Sequence, residues 1–337
     1  MERPRYGPTD ALQSPRFVGI RTFMRLPYLP LARDADVMVV GIPFDTGTTF
    51  RTGARFGPEA IRAGSLLLRT YHPVLDVNLF DHISAIDVGD INIAPGFIED
   101  TYERVERGLT DLLESSGAVP IVLGGDHSIA LPNLRVLARL HGPVALIHFD
   151  AHLDTWDSYW GHKYTHGTPF RRAAEEGLLD TAHAIQVGIR GPLYGPDDMQ
   201  GSRDLGFQII TTPEVHDNGV PWALRRIVER VGDRPTYISW DIDCVDPAFA
   251  PGTGTPEVGG FSSYQAQQLL RGLVGVNLIG FEVMEVMPQY DGPGQVTALL
   301  AANLCWEFMT LIALRRREQT RVDAAGAAHA ATGAPRG

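Results

Sequence analysis

Three clusters of acids and imidazoles close apolar, β-branched runs in this 337-residue chain, and that placement limits what it can fold into. Asp126 and His127 end "VPIVLGGDHS". Asp150, His152 and Asp154 end "PVALIHFDAHLD", and Asp241, Asp243 and Asp246 end "PTYISWDIDCVDP". An unpaired buried charge is costly, so acids crowded at the ends of buried strands need a cation or a dense set of hydrogen bonds.

The apolar runs at 36–42, 83–90, 119–125, 143–150, 184–190, 207–212, 235–243 and 278–286 read as strands. Segments near 58–69, 100–115, 128–141, 168–177, 222–231, 263–274 and 295–315 have helical period. Such alternation predicts an α/β fold with a parallel sheet covered on both faces. In such sheets ligands bind at the carboxyl ends of the strands, where all three clusters fall. No linker divides 16–317, so this stretch reads as one domain behind an N-terminal arm, 1–15. The tail, 318–337, is small, polar and aperiodic, and is expected to be disordered.

The formal net charge is −11 with no basic stripe, which argues against nucleic acid and anionic membranes and favours a small cationic partner. Cys244 and Cys305 give no disulfide framework. With no signal-like segment and no apolar run of about 18 residues, a cytoplasmic chain without a membrane span is expected.

Each cluster has a plain reading. Strand-end acids often cap the next helix, and a lone His127 could be a hydrogen-bonded core histidine. "DAHLD" is more specific, because positions i, i+2 and i+4 of an extended segment share one face. Taken together the clusters point to a metal site. Its ligands are oxygen-rich with two imidazoles and no thiolate, which suits Mn²⁺, Ni²⁺ or Zn²⁺. The set exceeds the needs of one tetrahedral ion, so two ions activating a shared water are expected, which is metal-assisted hydrolysis.

"GGDHS", "FDAHLD" and "SWDIDCVDPAFAPGTGTPEVGG" resemble the three signatures of the ureohydrolases, the arginase–agmatinase family, in its agmatinase-like branch. "TTFRTGARFGPEAIR", "DVGDI", "HGTPFRRAAEEGLLD" and "EVMEVMPQYD" support the resemblance, which runs from about residue 16 to 315. It implies a single three-layer α/β/α domain on a mostly parallel eight-stranded sheet. It also implies a homotrimer or homohexamer, alone or with a homologous subunit, and two divalent ions, Mn²⁺ first and Ni²⁺ as the alternative. By the same resemblance one ion takes His127, Asp150, Asp154 and Asp241, and the other Asp150, His152, Asp241 and Asp243. Asp154 orients the nucleophile, His166 passes a proton to the leaving amine, and Glu285 pairs with a substrate guanidinium. Thr255, Trp156 and Met287 join Glu285 as substrate-binding candidates.

The substrate implied is a guanidino compound cleaved to urea and an amine. Where arginases carry a polar residue two positions after "DAHxD", this chain has Trp156, and an indole cannot accept from an α-ammonium. Agmatine is therefore favoured, with guanidine, 4-guanidinobutyrate or an alkylated biguanide as alternatives. Trp156, followed by Asp157, Tyr159 and Trp160, could pack the loop or wall a pocket. Met287 could narrow the guanidinium end or merely fill a gap, and Cys244 reads as a small buried thiol. The competing readings are a single-zinc amide hydrolase of histone-deacetylase type and a non-catalytic partner subunit.

Overall fold

The computed structural model describes residues 6–30 and 33–332, with side chains described up to Ala325. Eight strands form one sheet: β1 (Val37–Ile42), β4 (Ala85–Asp90), β5 (Val119–Gly124), β6 (Val144–Phe149), β7 (Leu179–Ile189), β8 (Gln208–Thr211), β9 (Thr236–Asp241) and β10 (Leu278–Met284). Two short strands, β2 (Tyr71–His72) and β3 (Val77–Asn78), make a separate antiparallel pair. The large sheet has the order β4-β1-β5-β10-β9-β6-β7-β8, with every neighbouring pair parallel.

The helices are α1 (Gly57–Ser65), α2 (Ile98–Ser116), α3 (Ala130–His141), α4 (Pro169–Glu175), α5 (Asp198–Asp204), α6 (Thr212–Asn218), α7 (Val220–Val231), α8 (Ser263–Arg271) and α9 (Val296–Thr332). Successive strand side chains alternate between two cores. Val37, Val39, Ile147, Phe149, Ile238 and Trp240 pack toward α1 and α6–α9, while Met38, Val40, Leu146 and Tyr237 pack toward α2–α4. Both faces are buried, which explains why the strands read as continuous apolar runs.

Three local expectations change. The tail is helical through Thr332 rather than disordered from 318, because "DAAGAAHAAT" is rich in alanine, the strongest helix former. Residues 333–337 lie outside the described residues. Within α9, Val296–Ala325 is long and apolar enough to cross a membrane by length and composition, contrary to the expectation that no such run exists. Yet its apolar window is 83% buried, packed against α1, α8 and β10. The third change is two added helices, α5 and α6. α5 is polar and carries no apolar stripe. α6 did leave a signal, a capping box in which Thr211 accepts from the Glu214 N–H and the Glu214 carboxylate accepts from the Thr211 N–H.

The chain builds β1 and β4, crosses to β5, then jumps to β6, β7 and β8 before returning to fill the gap with β9 and β10. The four central strands, β5, β10, β9 and β6, therefore present their carboxyl ends side by side.

Candidate metal centre and its cavity

Each cluster is aimed by its own turn. After β5 the Asp126 carboxylate accepts from the Ser128 and Gly47 amides, at 2.9 and 2.7 Å, so it caps a short 3₁₀ turn, His127–Ile129. Gly125 permits this turn, since any Cβ there would collide with the Phe44 carbonyl. After β9 Asp241 caps a second turn through the Asp243 amide, at 2.8 Å. Asp246 accepts from the amides of Ala248, Gly259 and Gly260. Asp126 and Asp246 thus take the plain capping role.

The other six residues converge. His127 Nδ1 stands 3.2, 3.0 and 3.2 Å from single oxygens of Asp150, Asp154 and Asp241. His152 Nδ1 stands 3.3 Å from Asp150 and 3.1 Å from Asp243. Asp150 turns Oδ2 to the His127 group and Oδ1 to the His152 group, so it spans both. Asp241 meets the first group through Oδ2, while its Oδ1 accepts the Asp243 amide.

The tautomer of His127 follows from its neighbours. The Ser239 hydroxyl donates to the buried Glu282 carboxylate, which also accepts from Tyr237 and Asn133. The Ser239 oxygen is left to accept from His127 Nε2–H, at 2.7 Å. His127 Nδ1 is fully buried without a hydrogen-bond partner, facing three carboxylates. One proton there could serve one oxygen; a metal cation serves all three, so the residues fit a metal.

The electrostatics agree. Burial would lower the His127 pKa, yet Asp150, Asp154 and Asp241 hold it well above its ordinary value. Burial, then the charges of Asp243 and Asp150, pushes Asp241 well above the carboxylate range. Without a cation the acids can balance their charge only by holding protons, on the imidazoles or on one another. Two residues here, Asp154 and Glu285, hold φ of 51° and 62°, uncommon for residues with a Cβ.

A cavity of about 300 Å³ opens above the cluster, lined by His152, Asp154, Trp156, His166, Asp241 and Thr255 together with Thr49, Tyr159, Tyr194 and Glu257. Among the described residues, no lysine or arginine lines it. Thr255 donates to Asp243 at 3.3 Å. Trp156 forms edge-on contacts with Tyr159 and Tyr194, whereas Trp160 is 77% exposed and off the wall. His166 Nδ1 contacts Glu285 Oε1 at 2.9 Å, while its Nε2 accepts from the Thr49 amide at 3.1 Å and meets the Thr49 hydroxyl at 2.6 Å. Burial works against its charge, but Glu285 raises the imidazole pKa to about 9. Glu285 Oε1 also accepts the His127 amide; Oε2 is buried with no partner, behind the cavity wall.

Met287 is a correction. It is fully buried and absent from the lining, with its thioether packed against Gly254, so it fills a gap in the core rather than narrowing the pocket. Cys244 is buried, and burial pushes its thiol pKa well up. Sequence reasoning assigned no role to Thr49, Tyr194, Glu257, Ser239 or His148. Thr49 and Glu257 lie inside the quoted motif stretches and Tyr194 in the Gly/Pro-flanked "GPLYGP", which is the signal that was available.

The arginase family model matches residues 35–311 of the chain. The chain belongs to the arginase family. A guanidinopropionase from Pseudomonas aeruginosa is 47% identical over 307 residues, 91% of this chain and 96% of its own. A mitochondrial agmatinase from Gallus gallus is 44% identical, covering 88% and 87%. The solved proclavaminate amidino hydrolase of Streptomyces clavuligerus superposes with a TM-score of 0.86 at 44% identity, covering 89% of this chain and 99% of its own. The fold is that of the family, and the chain is a family hydrolase of guanidino compounds, acting on C–N bonds. Arginase-family catalysis depends on a pair of metal ions.

Proposed function

We propose that this arginase-family chain hydrolyses a small cationic guanidino compound to urea and an amine, with agmatine, giving putrescine, as its first substrate. The observation that carries the reading is the buried, unpartnered His127 Nδ1 among three carboxylate oxygens beneath the cavity. His127, Asp150, Asp154 and Asp241 would hold one cation, and Asp150, His152, Asp241 and Asp243 the other. Mn²⁺ is the first choice and Ni²⁺ the second for this sulfur-free set. When bound, the pair supplies a nucleophile from water near neutral pH and stabilises charge developing in the substrate.

The chain's own groups do the rest. Asp154 accepts a hydrogen bond from the attacking water and orients it. Glu285 has an unpartnered Oε2 that would suit a guanidinium N–H in the charge-assisted pairing of that planar cation, but the residue is buried behind the lining, so a substrate has to reach past the wall to meet it. His166, its pKa raised by Glu285, serves as the proton donor to the leaving nitrogen. Trp156, with Tyr159 and Tyr194, forms the wall against which the substrate tail lies.

A cavity without lysine or arginine supports a substrate with an amine or neutral tail. The 47% identity to a guanidinopropionase supports the second reading, a guanidino acid. Urea release from agmatine, 3-guanidinopropionate, 4-guanidinobutyrate, guanidine and a biguanide separates them. Activity on the acids with none on agmatine overturns the first substrate, and no urea from any of them with two metals bound favours a non-catalytic subunit. We further propose a homotrimer or homohexamer acting in the cytoplasm, checked by light scattering and fractionation.

A further inference from the structure

His148 precedes the Asp150 cluster by two residues on β6 and is fully buried, tilted against the Phe170 ring at 4.2 Å. Its Nε2 lies 2.7 Å from Asp150 Oδ2. A buried imidazole this close to the acids has the look of another ligand, and its hydrogen bonds say otherwise. The β6–β7 register sets His148 beside Gln186. The Gln186 amide nitrogen lies 3.1 Å from His148 Nδ1 and also donates to the Leu153 carbonyl. The Gln186 amide oxygen accepts from the Ser202 hydroxyl.

A carbonyl can only accept, so Leu153 fixes which end of the Gln186 amide carries hydrogen. His148 Nδ1 must then accept, and Nε2–H must donate to Asp150. Leu153 is the residue before Asp154, whose φ of 51° needs outside support. One buried amide therefore ties the carboxylate that spans both halves of the cluster to the strained backbone of a second acid.

We infer that His148 and Gln186 are positioning residues: Gln186 sets the His148 tautomer, His148 aims the Asp150 carboxylate, and the same amide anchors the loop that presents Asp154. The inference rests on the reading that the acid cluster holds two cations. Partners of this kind orient metal ligands, and their loss typically lowers metal affinity about 10–100-fold.

The test is Mn²⁺ titration of the chelator-stripped full-length chain by calorimetry, which reads binding without turnover. His148→Phe removes the donor to Asp150, Gln186→Met removes both amide donors, and His148→Gln restores an N–H near the Nε2 position. The expected result is a 10–100-fold weaker Mn²⁺ affinity for His148→Phe and Gln186→Met, with His148→Gln recovering at least half of the loss on a logarithmic scale. Apo melting temperatures identify any variant that fails to fold, in which case Gln186→Met decides. Wild-type affinity in Gln186→Met, or equal losses in His148→Phe and His148→Gln, overturns the inference while leaving the metal reading intact. Failure of the wild-type chain to bind Mn²⁺ overturns both.

Discussion

His127 Nε2 and the Ser239 hydroxyl stand 2.7 Å apart, and that contact decides which nitrogen of the imidazole faces the acids. Ser239 can accept because its own proton is committed to Glu282. Ser239→Ala leaves His127 free to carry its proton on Nδ1. Mn²⁺ affinity measured by calorimetry should fall about 10–100-fold, with the apo melting temperature little changed.

Chelation should abolish urea release and also lower the melting temperature, because cations that bind only the folded state stabilise it by mass action. Adding Mn²⁺ back should raise the melting temperature progressively with its concentration. A melting temperature indifferent to Mn²⁺ counts against the centre described above.

His166 sets a limb of the pH profile. Its pKa rises from 6.5 to about 9 on folding, so the folded chain binds this proton more tightly. The stability gained is complete below pH 6.5 and fades as pH climbs toward 9. A proton donor with that pKa is loaded at neutral pH, so kcat should decline above about 9. His166→Asn should lower kcat by about 10²–10⁴-fold and remove this limb, as a full pH–rate series would show.

Gly125→Ala should unfold more readily, since the new methyl meets the Phe44 carbonyl, a backbone atom that cannot rotate away. A loss of about 1–3 kcal/mol is expected from overpacking of this kind, read by urea denaturation.

Trp156 and Met287, alike as sequence candidates, should now separate. Trp156→Ala should reorder the guanidine panel by about tenfold, roughly the worth of one apolar contact, at unchanged metal content. Met287→Leu should leave the order as it was and cost under about 1.5 kcal/mol, as volume-conserving core changes do.

All eight sheet strands were legible because burial on both faces leaves uninterrupted apolar runs. The six converging residues were legible because strand ends write their carboxylates into short motifs. Roles set by long-range register were not. Nothing in "ALIHFD" says that His148 will meet Gln186 thirty-eight residues later, or that Met287, two positions past Glu285, will turn inward under Gly254. The tail is helical for a local reason, because alanine's helix propensity holds the backbone even without an apolar stripe.

The order β5-β10-β9-β6 also carries a consequence for how the molecule comes into being. The middle of the sheet is synthesised last. Until β9 and β10 arrive, β5 and β6 are bare edges able to pair with other chains, and His127 and Asp150 belong to halves that nothing yet joins. Asp241, Asp243 and Glu285 enter with the closing strands, so completing the sheet and completing the centre are one event. A chain that stops short of residue 236 holds neither.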